Sequence, residues 1–125
     1  MLDMISLADT NGFFKYVSPA HTRFLGYKTS ELLDKSIFEF IHPDDKERII
    51  DLVSDKIAKQ ESGKTEYRYK KADGNYIWLE STGKFIVNDQ GEIETIVLVT
   101  REIEERKKSQ ENLKFLSNSA LTFLS

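Results

Sequence analysis

The 125-residue chain has no cysteine, only two prolines and two histidines, and a single tryptophan. Without cysteine there can be no disulfide, no thiolate metal site and no cysteine-linked chromophore, and the composition fits a reducing compartment. His21 falls in a short helical stretch and His42 precedes a proline at a helix start. Two isolated histidines make a poor metal site, so no metal is expected. Long hydrophobic runs are missing as well, and the N-terminus lacks a signal-peptide pattern. The expectation is a cytoplasmic domain with no membrane insertion. Nor is there an excess of basic charge: 18 Lys and Arg against 21 Asp and Glu leave a net charge of -3. Nucleic-acid binding needs a concentrated basic face, and none is expected here. Finally, no nucleophile–base pairing or Gly-rich phosphate loop stands out, so this chain is not expected to be an enzyme in its own right.

What is present is a chain of one-domain length with 39% apolar residues, enough for a core at this size. Residues 65–101 read as three antiparallel strands. Thr65 to Ala72 runs into Asp73-Gly74, a strong hairpin signal that predicts a tight primed turn, and Tyr76 to Val87 follows. Asn88 to Gly91 makes a second turn into Ile93 to Arg101. That last run is apolar on both sides, Ile96 and Leu98 facing away from Val97 and Val99, which places it inside a sheet. Met4 to Ala8 and Phe13 to Val17, joined by a turn over Asp9 to Gly12, add two more strands.

The middle of the chain reads as helical. Ser18 is placed to cap a short helix with Pro19 at its first position and Gly26 at its end. Thr29 or Ser30 caps a further turn. Pro43, Asp44 and Asp45 open the one long helix, whose Ile49, Ile50, Val53 and Ile57 share a face, with Gly63 closing it. The fold class is therefore α+β: a five-stranded antiparallel sheet with short helices and one longer helix on one face. A cavity between sheet and helices is the expected ligand position. Residues 104–125 are rich in helix formers and read as an exit helix or linker after a domain spanning 1–103. Leu113, Leu116, Ala120 and Phe123 step at heptad spacing over less than two repeats. Arg106, Lys107 and Lys108 are expected to pair along the helix surface with Glu104 and Glu105. Arg68 and Lys70 belong to a solvated face or pair with Glu66 or Glu80, and Trp78 with Tyr67, Tyr69 and Tyr76 reads as ordinary sheet packing.

Taken in order, these segments resemble a PAS domain, the sensory module of prokaryotic signalling proteins, over roughly Met4 to Lys108. The resemblance rests on Asp9-x-Asn11-Gly12 with Tyr16-Val17-Ser18-Pro19-Ala20 and on Phe24-Leu25-Gly26-Tyr27 with Glu31-Leu32-Leu33 and Lys35. It continues through His42-Pro43-Asp44-Asp45 and Asp73-Gly74 with Trp78. It closes on Thr100 to Lys107, where such domains of sensor kinases often end in Asp-Ile-Thr-Glu-Arg-Lys; here Glu102 and Glu104 replace the aspartate and the threonine.

The resemblance implies a signal-input domain of a two-component sensor histidine kinase. It would bind a small molecule between sheet and helices and pass the change through the C-terminal helix to a downstream sensor or kinase module. Phe24, Phe38, Ile49, Val53, Leu79 and Val97 are the implied pocket lining, and Arg101, Glu102 and Ile103 the signal-coupling residues. Haem-binding relatives use a histidine on the long helix, and Pro43 to Ser62 has none, so haem is not expected. Flavin-photosensing relatives carry Asn-Cys-Arg-Phe-Leu where this chain has His21-Thr22-Arg23-Phe24-Leu25, which rules out a cysteinyl adduct. The alternative is a ligand-free homodimerisation or protein-interaction module whose core is filled by its own side chains.

Overall fold

The computed structural model describes residues 3–124, with side chains placed for residues 3–114. Two strands come first, β1 (Met4–Ala8) and β2 (Phe14–Val17). Three helices follow, α1 (Ala20–Leu25), α2 (Thr29–Leu32) and α3 (Pro43–Lys59). Then come β3 (Gly63–Lys70), β4 (Tyr76–Val87), β5 (Ile93–Glu102) and α4 (Glu104–Leu124). The five strands form one antiparallel sheet in the order β2-β1-β5-β4-β3. The doubly apolar β5 lies at its centre, as its two-sided pattern predicts. Met4, Ala8, Tyr67, Tyr69, Ile77, Leu79 and Ile96 point from the sheet into one core, where Leu25, Leu32 and Ile49 meet them from the helices.

Several local signals resolve differently from their sequence reading. Ser18 does not cap α1: its hydroxyl accepts the Ile5 amide at 3.0 Å, tying the loop back to β1. Neither Thr29 nor Ser30 caps α2; the Glu31 carboxylate instead accepts the Lys28 amide at 2.8 Å. Gly26 does end α1, with φ 85° and its amide on the Thr22 carbonyl. The left-handed residue closing α3 is Gln60 (φ 53°), so Gly63 is free to start β3. At the β3–β4 hairpin only Gly74 has positive φ, and its amide reaches the Lys71 carbonyl at 3.0 Å. A primed turn needs positive φ at its first central residue, so this connection is a wider loop with a left-handed glycine at its end.

The free edge of β3 is covered. His42 N–H bonds to the Arg68 carbonyl and Lys70 N–H to the Phe40 carbonyl, so the segment before α3 runs along this strand. Asp45, in the first turn of α3, completes the closure. Its carboxylate accepts the Arg68 backbone amide at 2.9 Å and the Arg68 guanidinium at 3.0 and 2.8 Å. Arg68 therefore pairs with Asp45, not with Glu66 or Glu80. The reason is that its unpaired edge N–H and its side chain can be satisfied by one helix-terminal carboxylate together.

Candidate functional site

Between α3 and the inner face of the sheet lies an apolar cavity of about 70 Å³. Pockets for drug-sized ligands run to roughly 300–1,000 Å³, so as it stands this space suits a few non-hydrogen atoms and not a flavin ring. Alternation along the strands decides which side chains reach it. On β4, Ser81, Gly83 and Phe85 face inward, and on β5 Ile96 and Leu98 do. From the helical side come Ile37, Phe38, Ile49 and Val53.

Of the six residues expected to line a pocket, the structure thus brings together Phe38, Ile49 and Val53. Val97 is corrected to the opposite face of β5, since Ile96 and Leu98 occupy the inner one. Phe24 is corrected to a half-buried position outside the cavity: it packs against the core and borders a surface depression at the end of α1, beside Arg23 and the Lys71–Asp73 loop. It sits one position off the inward face of α1, which His21 and Leu25 take. Leu79 points inward and is 2% exposed, but it packs into the core beyond the end of the cavity. Ile96 and Leu98 were within reach of the sequence, since the period-2 pattern that places Leu98 inside excludes Val97.

Three hydroxyls break the apolar surroundings. Tyr67 and Ser81 both contribute to the cavity wall. Their oxygens are 2.5 Å apart, and Ser81 Oγ lies a further 2.6 Å from Thr100 Oγ1 on β5. Burial pushes the Tyr67 phenol above its usual range, which keeps it protonated. Tyr69, next along the same face, is raised well above that range by burial too, and its hydroxyl has no partner among the described residues. Gly63 and Gly83, both on the cavity wall, face each other across β3 and β4. The Lys56 stem crosses Gly63 there and carries its ammonium out to Glu61, 3.4 Å away. Among the described residues no group of three His, Asp or Glu is placed to hold a metal. The two histidines are otherwise engaged. His42 accepts the Asp44 amide and starts α3, while His21 is buried with Nδ1 2.9 Å from the Ser18 carbonyl. Burial lowers the His21 pKa from its ordinary value.

The outer face of β3 and β4 carries the second half of the site. Glu66 and Glu80 are direct cross-strand partners, an arrangement that is unfavourable without a cation between them. α4 supplies it: Arg106 contacts both carboxylates, reaching Glu80 at 3.0 Å, and Lys107 pairs with Glu66 at 2.7 Å. Lys107 also stands 4.4 Å above the Trp78 ring, with Arg68 at 5.3 Å from the same ring. Arg106 and Lys107 therefore do not pair along the helix as expected, because two sheet carboxylates lie within reach and the first turns of α4 dock on them. The implied coupling residues sit at this junction. Arg101 Nε is 3.8 Å from Glu80. The Glu102 carboxylate accepts the Glu104 amide at the start of α4. Ile103 is buried, its amide on the Trp78 carbonyl, and Glu104 accepts the Trp78 amide at 2.7 Å. Along the proposed heptad only Leu113 has its side chain described, and it is exposed; Leu116, Ala120 and Phe123 lie outside the described side chains.

A five-stranded sheet with helices over one face, a small internal cavity, and a terminal helix held on the opposite face define a sensory-type α+β domain. The model of the PAS fold matches residues 14–100, and the chain belongs to the PAS family. It is 33% identical over 97 residues to White collar 2 protein of Neurospora crassa, a match covering 72% of this chain and 18% of that protein. The chain therefore spans under a fifth of that relative's length. Among solved structures it resembles a sensory box histidine kinase/response regulator from Burkholderia thailandensis E264. The identity is 27%, the TM-score 0.78, and coverage 96% of this chain and 90% of that one. The N-terminal domain of a diguanylate cyclase with PAS/PAC sensor from Marinobacter aquaeolei shares the fold at 20% identity. Its TM-score is 0.77, with 85% of this chain and 99% of that chain covered. No helix among the described residues is long and apolar enough to cross a membrane.

Proposed function

We propose that the chain is the signal-input domain of a cytoplasmic two-component sensor histidine kinase. In this reading residues 1–103 hold a small molecule against α3, and residues 104–125 carry the change to a downstream module. One observation supports it above the others. The strands that wall the cavity on one side bind the first turns of α4 on the other, so β3 and β4 face both an internal space and the exit helix. A ligand switches such a domain only by binding two arrangements of sheet and helix unequally. The kinase parentage draws on the likeness to the sensory box histidine kinase/response regulator. The domain itself is read as lacking turnover.

Glu102 tests the route. Glu102→Ala in the full-length protein removes the carboxylate that receives the Glu104 amide. It should uncouple kinase output from the stimulus while the circular dichroism of the domain stays unchanged. Output that still follows the stimulus to the same extent sinks the coupling role.

A second reading, a ligand-free homodimerisation module, is favoured by one feature. The outer face of β2, β1 and β5 presents Tyr16, Ile5 and Val99 at 47%, 44% and 36% exposure. Leu7 and Val97 lie between them, Leu7 being paired with both Tyr16 and Val97. Sedimentation of the wild type and of Val99→Lys separates the readings: a dimer that the substitution dissociates supports the second, and a monomer throughout excludes it.

A further inference from the structure

The cavity has a donor to spare. Tyr67, Ser81 and Thr100 each carry one hydroxyl proton, and only two oxygen–oxygen contacts join the three. Thr100 also acts on the Tyr67 phenol, but these oxygens make no third hydrogen bond of good geometry among the described residues, so one of the three protons has no acceptor inside the chain of hydroxyls. Its position depends on the sense of the chain. If Tyr67 donates to Ser81 and Ser81 to Thr100, the spare proton sits at Thr100, in packed surroundings where the residue is paired with the fully buried Met4. If the sense is reversed, Thr100 donates to Ser81 and Ser81 to Tyr67, and the spare proton sits on Tyr67 at the cavity wall; if Tyr67 and Thr100 both donate to Ser81, it sits on Ser81, also on the wall. An unpaired buried donor is expensive, so an acceptor inside the cavity selects the arrangements that leave the free proton at the wall, on Tyr67 or on Ser81.

The remaining features narrow the occupant. Among the described residues the only charged side chain on the wall is Lys56, whose ammonium is held outward by Glu61, so an ionic guest would be stripped of water without a counter-charge. A water-sized unit needs roughly 10–15 Å³ of accessible volume. The cavity's 70 Å³ therefore corresponds to about five to seven such units. We infer that the cavity takes a small, neutral, mostly apolar molecule of about that many non-hydrogen atoms carrying one hydrogen-bond acceptor, which receives the free proton of the Tyr67–Ser81–Thr100 chain. This rests on the small-molecule reading above and gives it a ligand class.

The test uses three probes of matched size: 2-butanone, its hydrocarbon isostere 2-methyl-1-butene, and n-butylammonium. Each is titrated against the isotope-labelled chain while the amide signals of Ile49, Val53, Ser81 and Ile96 are followed. Butanone and the alkene are expected to shift these signals and butylammonium is not. The decisive quantity is the ratio of ketone to alkene affinity. Neither single substitution should abolish the preference, because Tyr67→Phe leaves Ser81 with the free proton and Ser81→Ala leaves Tyr67 with it. The double variant Tyr67→Phe/Ser81→Ala removes both wall donors and should lower the ratio about tenfold. A ratio unchanged in the double variant overturns the donor assignment, and butylammonium binding as well as butanone overturns the neutral class. Both of those results leave the cavity a ligand site. If no probe binds the wild type, the small-molecule reading fails with the inference. A second readout needs no variant: the hydroxyl proton resonance of Tyr67 or of Ser81 should move downfield with butanone and not with the alkene, and equal behaviour of both protons with the two probes refutes the bond.

Discussion

Replacing Asp45 by asparagine should weaken the fold in a way that disappears in acid. The Asp45 side chain is almost fully buried, and three donors of Arg68 converge on its two oxygens. The hydrogen bonds from the Arg68 side chain lead in holding its pKa down, from 3.8 to about 2. At roughly 1.4 kcal/mol per pH unit, that difference is worth about 2 kcal/mol of stability. Because the folded-state pKa is the lower one, the unfolded chain takes up its proton first as pH falls. The contribution is therefore complete above about pH 4 and is lost as pH drops towards 2. Asparagine offers one acceptor oxygen and turns an N–H₂ towards the guanidinium, so Asp45→Asn forgoes this charge-assisted term at every pH. Urea unfolding of both proteins, followed by circular dichroism at intervals from pH 7 to pH 2, reads the difference directly. The stability gap should be about 2 kcal/mol wider at pH 5 than at pH 2. Curves that run parallel across this range would refute the assignment of the depressed pKa to Asp45, whatever their absolute separation.

Three other outcomes are expected. Gly26→Ala forces φ 85° on a residue with a Cβ, which would lie 3.2 Å from the Ala72 Cβ. It should lose about 1–2 kcal/mol in the same unfolding assay, while Gly83→Ala, in ordinary contact with Leu98 and without positive φ, should change little. Burial depresses the His21 pKa below 6.5, so its contribution is present above pH 6.5 and lost as pH falls below it; His21→Phe should flatten the thermal midpoint between pH 7 and pH 5, and an unchanged slope would count against it. Lys107→Ala removes the ammonium above the chain's single tryptophan, weakening the docking of α4 by about 0.5–1 kcal/mol. The emission of Trp78 should shift to longer wavelength with the far-ultraviolet spectrum preserved, and identical emission would mean that α4 does not rest on this ring.

The strands were the most legible part of the chain. β1 and β4 have the bounds that their apolar patterns suggest, and the two-sided run of β5 correctly foretells a central strand. What the pattern could not carry is pairing between distant charges. Arg106 meets Glu66 across 40 positions, whereas helical spacing alone offers Glu104 and Glu105 as nearer candidates. Glycine was over-read for a related reason. Gly63 looks like a helix stop because glycine tolerates positive φ best, but Gln60 supplies that conformation, and Gly63 instead faces Gly83 on the cavity wall. The cavity itself was half legible. Ile49 and Val53 follow from the apolar face of α3, while Ser81 carries no signal until its register opposite Thr100 is known.

The placement of β1 beside β5 has a mechanical consequence. The two strands are antiparallel, with Met4 opposite Thr100 and Ala8 opposite Ile96, so β1 enters and β5 leaves the sheet at the same end through neighbouring interior strands. Tension applied between residues before Met4 and residues after Glu102 does not load the β1–β5 hydrogen bonds all at once, as it would if the ends lay at opposite tips of the pair. It opens them in succession from Met4 and Thr100 inwards, like a zip. The hydroxyl of Thr100 is at the first tooth, so the strand end that would yield earliest under load is also the one that anchors the polar wall of the cavity.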